Sequence, residues 1–242
     1  MYLSIAVIFL ALVMGVPAYF LLSEEPTCFD GKRNGDETGP DCGGSCSAIC
    51  QSQAAEPRVL WSRVLPVAEG VYNVVALVEN LNPSAEASEA PYVFKIFDDR
   101  NILIYERKGG TFIPTKSVFP VFEASIITGM RKPAAVFFEF SEKPDWQRAT
   151  GQKPDIRVRS KKLSAENGGT RLEAVLENRT LDRLDNIEAI AVISNSDGNA
   201  IAVSRTVVES LTREESKIAV FTWPVDFTGD AVVSDIYVRV LQ

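Results

Sequence analysis

An internal duplication constrains the fold of this chain more than any other feature. When the sequence is shifted by 98 residues, as from Gly70 to Gly168, the two halves align without a gap over about 45 positions. The other matched pairs are Ser62 and Ser160, Leu65 and Leu163, Ala76 and Ala174, Glu79-Asn80 and Glu177-Asn178, Asp99 and Asp197, and Asn101 and Asn199. The sequence therefore predicts two related units, at 58–150 and 151–242, with the same architecture.

Each unit consists of short apolar segments separated by turn-forming residues. β-branched and aromatic residues, which favour strands, dominate these segments. The segments lie at 71–78, 92–97, 102–105, 118–127 and 135–140 in the first unit and at 171–176, 187–193, 200–208, 216–223 and 231–240 in the second. Strands spaced at about ten residues, in units of about 90, are typical of β-sandwiches. The sequence predicts an all-β fold with two tandem β-sandwiches.

A motif in the first unit resembles the signature of a known domain family. Phe94-Lys95-Ile96-Phe97-Asp98 matches the F-x-L-Y-D motif of FxLYD domains, relatives of the late-embryogenesis-abundant β-sandwich. The remaining positions of the family pattern are 78–80, the hairpin at 98–101 and Phe119 or Phe122 in the first unit, and 176–178, 196–199 and Phe221 in the second. The second unit has V-I-S-N at 192–195 in place of the aromatic strand, so its assignment depends on the duplication. The resemblance implies an immunoglobulin-like sandwich without catalytic residues, usually in envelope proteins.

The N-terminal segment at 2–22 contains no charged residue. Its length matches the roughly 20 apolar residues that a helix needs to cross a bilayer. We therefore predict a membrane anchor at 1–23, with the rest of the chain outside the cytoplasm. A signal peptide cleaved near Val16-Pro17-Ala18 and a buried core helix are the alternatives.

All four cysteines, Cys28, Cys42, Cys46 and Cys50, lie in a short segment after the predicted anchor. Their even number and close spacing predict two disulfide bonds in an oxidising compartment, and four cysteines allow three pairings. A zinc site with four cysteine ligands is the alternative, although the C-x2-C pairs common in such sites are missing. We interpret 24–57 as a disulfide knot followed by a linker.

Oxygen-bearing side chains alternate with glycines between the first two cysteines. Asp30, Asn34, Asp36 and Asp41 are candidate calcium ligands, because this spacing is similar to that of an EF-hand loop with Gly35 at its sixth position. A series of Asp, Asn and Gly turns is the alternative interpretation. Apart from calcium at these residues, we predict no cofactor.

The whole segment at 28–50 resembles a short repeat of bacterial and some eukaryotic surface proteins. The resemblance is carried by the pattern C-x-D-G-x-x-N-G-x-E-x-x-x-D-C-G-G-x-C-x3-C, and chiefly by its D-C-G-G core. This repeat has no known catalytic function. The resemblance implies that the residues which follow lie outside the cell.

Charge and composition limit the classes of function. The net charge is −7, and basic residues form no cluster of the kind that binds nucleic acid. Histidine is absent from the chain, which removes the commonest general base and zinc ligand. Asp98, Asp99 and Asp197 occupy predicted hairpin tips, where turn formation explains them better than acid–base chemistry. We expect that the protein is not an enzyme.

Together these features favour a cell-surface protein with a single membrane pass. We expect it to act as an interaction or structural module, in adhesion or in organisation of the envelope, with a protein or surface partner. An accessory subunit of an envelope secretion or pilus machine is the first alternative. A carboxylate-based enzyme is the second, and it requires a cleft with paired Asp or Glu side chains of perturbed pKa.

Overall fold

A computed structural model describes residues 5, 9–10, 13–15, 25–150 and 154–241. Most of the predicted membrane segment at 2–22 lies outside these residues. In the part of the chain that the structure describes, no helix is long and apolar enough to cross a membrane. The chain divides into two compact units, Met1–Cys50 and Gln51–Gln242.

Tight turns and disulfide bonds build the cysteine-rich segment of the first unit. Between residues 25 and 50 the structure contains turns and one isolated antiparallel bridge, which joins Gly39 to Cys42. Gly31, Gly35, Gly43 and Gly44 have positive φ angles, a conformation that costs glycine little. Since Cys46 and Cys50 are the buried apolar side chains of this segment, crosslinks replace a hydrophobic core.

The second unit consists of strands and one short 3₁₀ helix at Gln51–Gln53. Its strands are β1 (Arg58–Ala68), β2 (Val71–Asn80), β3 (Ala85–Phe97), β4 (Leu103–Ile113), β5 (Ser117–Ile127), β6 (Ala135–Phe140), β7 (Gln147–Arg148), β8 (Ile156–Glu166), β9 (Gly169–Asn178), β10 (Leu184–Ser194), β11 (Ala200–Leu211), β12 (Ser216–Trp223) and β13 (Val233–Val240). The predicted all-β class is confirmed.

The strands of this unit fall into two sets of six along the chain. β1 to β6 form the first repeat and β8 to β13 form the second, and β2 and β9 begin and end 98 residues apart. In the first repeat β1-β2-β5 form one antiparallel sheet and β4-β3-β6 form another, with β7 beside β3. In the second repeat the equivalent sheets are β8-β9-β12 and β11-β10-β13.

The predicted ungapped register fails after β2. Asn80 donates a hydrogen bond to the carbonyl of Ala85, five residues on, whereas its counterpart Asn178 donates to Asp182, four residues on. The segment from Asn80 to its acceptor Ala85 is therefore one residue longer than the segment from Asn178 to Asp182. As a result Asp98 corresponds to Asn195, and the predicted match of Asp99 with Asp197 is wrong.

Each repeat has a core between its own two sheets. In the second repeat this core contains alternate residues of β9 and β10 together with aromatic residues of β12. Its fully or nearly fully buried members are Leu172, Ala174, Leu176, Ile187, Ala189, Ala191, Ile193, Ala202, Leu211, Ala219, Phe221 and Trp223. In the first repeat Phe94 and Phe138 pack with ring centroids 4.9 Å apart, so the aromatic motif strand supplies core side chains.

A third cluster packs the two repeats against each other. It is formed by Leu65, Val75, Phe122, Ile190, Val192, Ala200 and Val203, with Trp61 and Tyr237 packed against them. The outer face of the β1-β2-β5 sheet thus contacts the outer face of the β11-β10-β13 sheet. Consequently β2 is buried on both faces from 74 to 78 and β10 on both faces from 187 to 193.

We expect the inter-repeat contact to contribute measurably to stability. Ile190 is 2% exposed in the inter-repeat cluster, whereas Ile218 is 58% exposed on a solvent-facing sheet surface of the same repeat. Ile190→Ala should lower the free energy of unfolding by about 2–5 kcal/mol, because it leaves a cavity. Ile218→Ala, the matched control, should change it by less than about 0.5 kcal/mol. Guanidinium unfolding measures both, and equal effects would contradict this packing.

Candidate functional site

The four cysteines form two disulfide bonds, as predicted. Cys28 pairs with Cys46 at an S–S distance of 1.95 Å, and Cys42 pairs with Cys50 at 1.94 Å. The structure thereby selects one of the three pairings that the sequence left open. Zinc binding needs thiolates, and in this state all four sulfurs are used in covalent bonds.

The Asp41 carboxylate organises the loop that was predicted to bind calcium. Its Oδ1 accepts hydrogen bonds from the backbone N–H groups of Asp30 at 2.9 Å and Gly31 at 3.0 Å. Its Oδ2 accepts a second bond from the Gly31 N–H at 2.9 Å. These bonds close the loop between its two ends, so the carboxylate has a structural role.

Asp30 and Asn34, two further candidate ligands, contact each other. The Asn34 amide donates to Asp30 Oδ2 at 2.7 Å, and the Lys32 N–H donates to Oδ1 at 2.8 Å. These two bonds hold the pKa of Asp30 below its usual value, because they stabilise the charged carboxylate. Both oxygens thus form the turn bonds expected of an Asx motif.

The fourth candidate ligand, Asp36, faces a different neighbour. Its Oδ1 accepts a hydrogen bond from the Ser45 hydroxyl at 2.8 Å. Among the described residues, the acidic and cysteine side chains whose ligand atoms converge within 4.8 Å are Cys28, Glu37 and Cys46. The structure therefore joins Asp30, Asn34 and Asp41 through hydrogen bonds and separates Asp36 from them. Calcium binding here stays a prediction.

The hairpin tips are built by Asx turns. Asp98 Oδ1 accepts the N–H groups of Arg100 at 3.0 Å and Ile102 at 2.9 Å. In the second repeat Asn195 makes the same two bonds, to Asp197 and Asn199. Asp98 has the expected turn role, whereas at the second tip the residue is Asn195 and not Asp197.

Two buried asparagines close the loops after β2 and β9. The Asn80 amide donates to the carbonyls of Ala85 and Pro114, and the Asn178 amide donates to Asp182, Leu211 and Thr212. Asn178 is fully buried. Although residues 178–180 form an N-x-T glycosylation sequon, the folded chain has no accessible amide at that position.

A buried ion pair lies at the contact between the repeats, and sequence reasoning missed it. Arg239 donates to the carboxylate of Glu188, which is 4% exposed, and to Thr111 Oγ1 at 2.9 Å and the Phe112 carbonyl at 3.0 Å. The guanidinium also lies over the ring of Phe119, 5.5 Å from its centroid. Because Glu188 and Arg239 are 51 residues apart, no local sequence pattern joins them.

A second arginine completes this cluster. Arg205 lies 3.6 Å from Glu188 and 6.0 Å from the ring centroid of Phe122 in the other repeat. A buried carboxylate needs such partners, since an unpaired charge in this environment is costly. The three side chains favour one alignment of the two repeats over others.

A cleft of about 800 Å³ lies beside this ion pair. Its lining includes residues 117–120 of β5 and residues 237–240 of β13, the two strands that form its opposite walls. Glu188 and Arg239 also line it, but they bind each other. The lining also includes Glu86 and Lys116 together with hydroxyl and apolar side chains, so the cleft surface is mixed.

One tyrosine has a strongly perturbed acidity. Burial and then the neighbouring carboxylate of Glu123 raise the pKa of the Tyr92 phenol. The phenol donates to Glu123 Oε1 at 2.9 Å, and Arg107 donates to Glu123 Oε2 at 3.1 Å. Tyr92 consequently stays neutral and acts as a hydrogen-bond donor within the fold.

No family model matches the chain. No characterised protein sequence matches it at a significant level either.

We expect the Asp41 loop to hold its shape through hydrogen bonds whether or not calcium is added. Asp41→Asn replaces one acceptor oxygen by a donor, and losing a bond to a charged group costs about 1.5–3 kcal/mol. Trypsin should then cleave at Lys32 or Arg33 roughly tenfold faster, equally in EGTA and in calcium chloride. Peptide mapping by mass spectrometry measures the rate.

Asp36→Asn is the matched control, because its amide oxygen still accepts the Ser45 hydroxyl. This variant should be cleaved at the wild-type rate. If calcium instead protects the wild-type loop and Asp41→Asn abolishes that protection, Asp41 is a calcium ligand and the turn interpretation is wrong.

Proposed function

We propose that the protein is a membrane-anchored, extracytoplasmic interaction module. An N-terminal anchor at 2–22 holds it to the membrane. The disulfide unit and two tandem immunoglobulin-like sandwiches then lie on the outer side and contact a protein or surface partner. Its role is adhesion or organisation of the envelope.

The disulfide unit carries this proposal. Cys28–Cys46 and Cys42–Cys50 crosslink a segment with almost no apolar core, and no free cysteine occurs among the described residues. Such bonds persist in secreted and surface proteins, whereas reducing systems keep cytoplasmic thiols free. A segment that depends on crosslinks is suited to an oxidising compartment.

The N-terminal sequence and the resemblance of 28–50 to surface-protein repeats support the same location. Residues 2–22 carry no charge, and their length fits a bilayer. The cysteine-rich segment follows directly. This order requires that the chain leave the cytoplasm within a few residues of the anchor.

Binding rather than catalysis is favoured by the chemistry of the side chains. The chain has no histidine, and the carboxylates of Asp98 and Glu188 are engaged by backbone N–H groups and by arginines. By contrast, the strands provide extended surfaces with apolar and charged side chains. These surfaces suit a partner that recognises shape and charge.

We expect membrane-expressed protein to contain both disulfides and to be digested from outside the cell. The intact mass should increase by four hydrogens on reduction, because two bonds open. Protease added to whole cells should remove the residues after the anchor. Free thiols together with protection from protease would contradict the proposed location.

A variant with five leucines of 2–22 replaced by aspartate is the control for the anchor. It should appear in the soluble fraction, while the wild type remains with membranes. Probing the same fractions with envelope extract tests the interaction role. If assembly with other envelope proteins requires the native sequence of 2–22, the result would indicate the accessory-subunit alternative.

A further inference from the structure

The buried Glu37 carboxylate lies against one sulfur of the Cys28–Cys46 disulfide. Glu37 is 8% exposed, and its Oε1 is 3.4 Å from Cys46 Sγ. Its Oε2 accepts the N–H groups of Asn34 at 3.2 Å and Asp41 at 3.3 Å, which fix the side chain in place. The loop therefore holds a charged oxygen at a defined distance from a buried sulfur.

This contact is more favourable in the reduced protein than in the oxidised one. Among the described residues, Cys46 Sγ is the partner of Glu37 Oε1. In the disulfide this sulfur carries no hydrogen, so it cannot donate a hydrogen bond to Oε1. After reduction the Cys46 thiol supplies that donor. A buried acceptor without a donor is costly, and this cost applies to the disulfide form alone.

The two sulfurs of this bond differ in access. Cys46 is 1% exposed, whereas Cys28 is only half-buried and lies within reach of solvent. The arrangement places a partly exposed cysteine opposite a buried sulfur that lies beside a carboxyl group. Exchange requires access to the attacked sulfur and departure of the other sulfur, which the carboxyl group assists by passing it a proton.

The Cys42–Cys50 disulfide also joins a partly exposed cysteine to a buried one, but its surroundings differ. Gly39 lies against it so closely that a Cβ atom on this residue would be 3.0 Å from the sulfur of Cys42 and 3.1 Å from that of Cys50. Cys42 is also held by the backbone bridge to Gly39. Among the described residues, the carboxyl group that converges with cysteine sulfurs is that of Glu37, and it does so at Cys28 and Cys46.

We propose that Cys28–Cys46 is a thiol-exchanging disulfide in which Glu37 is the proton acceptor for Cys46. An external thiolate attacks Cys28 Sγ and the Cys28–Cys46 bond breaks, while the departing Cys46 sulfur takes a proton that the Glu37 carboxyl group has picked up from solvent. A second external thiolate attacks the external sulfur of this mixed disulfide and releases Cys28. The protein gains the two electrons that the two external thiols lose.

Glu37 takes this proton back when the bond re-forms from the mixed disulfide. Its carboxylate accepts the proton of the Cys46 thiol while Cys46 Sγ attacks Cys28 Sγ, and the external thiolate departs. General base catalysis of this kind requires an acceptor within hydrogen-bond reach of the proton. This proposal does not depend on the membrane anchor or on the partner proposed above.

Limiting reduced glutathione tests the selectivity on the full-length wild-type chain. After an acid quench and alkylation, peptide mapping shows which disulfide has opened. We expect Cys28–Cys46 to open at least tenfold faster than Cys42–Cys50, since each tenfold ratio needs only about 1.4 kcal/mol. Equal opening of the two bonds would overturn the proposal without recourse to any variant.

The closing step tests the role of Glu37. Glu37→Gln keeps an oxygen for the N–H groups of Asn34 and Asp41 but cannot accept a proton. Closure of the glutathione mixed disulfide at neutral pH should slow by about 10²-fold in this variant and should then increase with pH, because it needs a pre-formed thiolate. Asp36→Asn, which alters a carboxylate bound to Ser45, should close at the wild-type rate.

Disulfide mapping of the isolated Glu37→Gln protein establishes that its native pairing is intact before rates are compared. Closure at the wild-type rate with the same pH profile in Glu37→Gln would overturn the assignment of Glu37. If the pairing is altered, Glu37→Asp provides the comparison: it retains a carboxylate at greater distance and should slow closure while preserving the wild-type pH profile.

Discussion

The packing of one repeat on the other organises the Gln51–Gln242 unit. It joins non-equivalent faces: the β1-β2-β5 sheet of the first repeat and the β11-β10-β13 sheet of the second. Contacts of this head-to-tail kind close into rings or extend into filaments when identical units repeat them. The two repeats are not identical at this contact, because the position of Val75 is Glu173 in the second repeat and the position of Val192 is Lys95 in the first. The equivalent faces outside the contact therefore carry charged side chains in place of these valines.

Two physical strategies stabilise the two compact units. The larger unit buries long apolar strands and places Arg239, paired with Glu188 of the same repeat, at the inter-repeat contact, where misalignment would remove its hydrogen bonds to Thr111 and Phe112. The cysteine-rich segment uses Asx turns and crosslinks in place of a core. A rigid pair of repeats fits the proposed role as a binding module, whereas the crosslinked segment has sulfur chemistry that the strands lack.

Much of the fold could be predicted because its signals are local. Strand segments, turn residues and the repeat spacing are read from neighbouring residues, and Asn80 and Asn178 recur at 98 residues because each closes the same loop. The ungapped register failed because one extra residue after β2 leaves the strand pattern intact. In the candidate site, the two disulfides and the turn role of Asp98 were predictable, whereas the contact of Glu37 with Cys46 was not.

By itself, the sequence determined the all-β class, the duplication and the clustering of four cysteines, since composition and periodicity suffice for these. Only the tertiary structure decided which cysteines pair, which sheet faces meet and where Glu188 finds Arg239. These outcomes depend on distances between residues far apart in the chain. The uninterrupted apolar runs of β2 and β10 indicate burial on both faces, but what covers the second face emerges only when both repeats have folded.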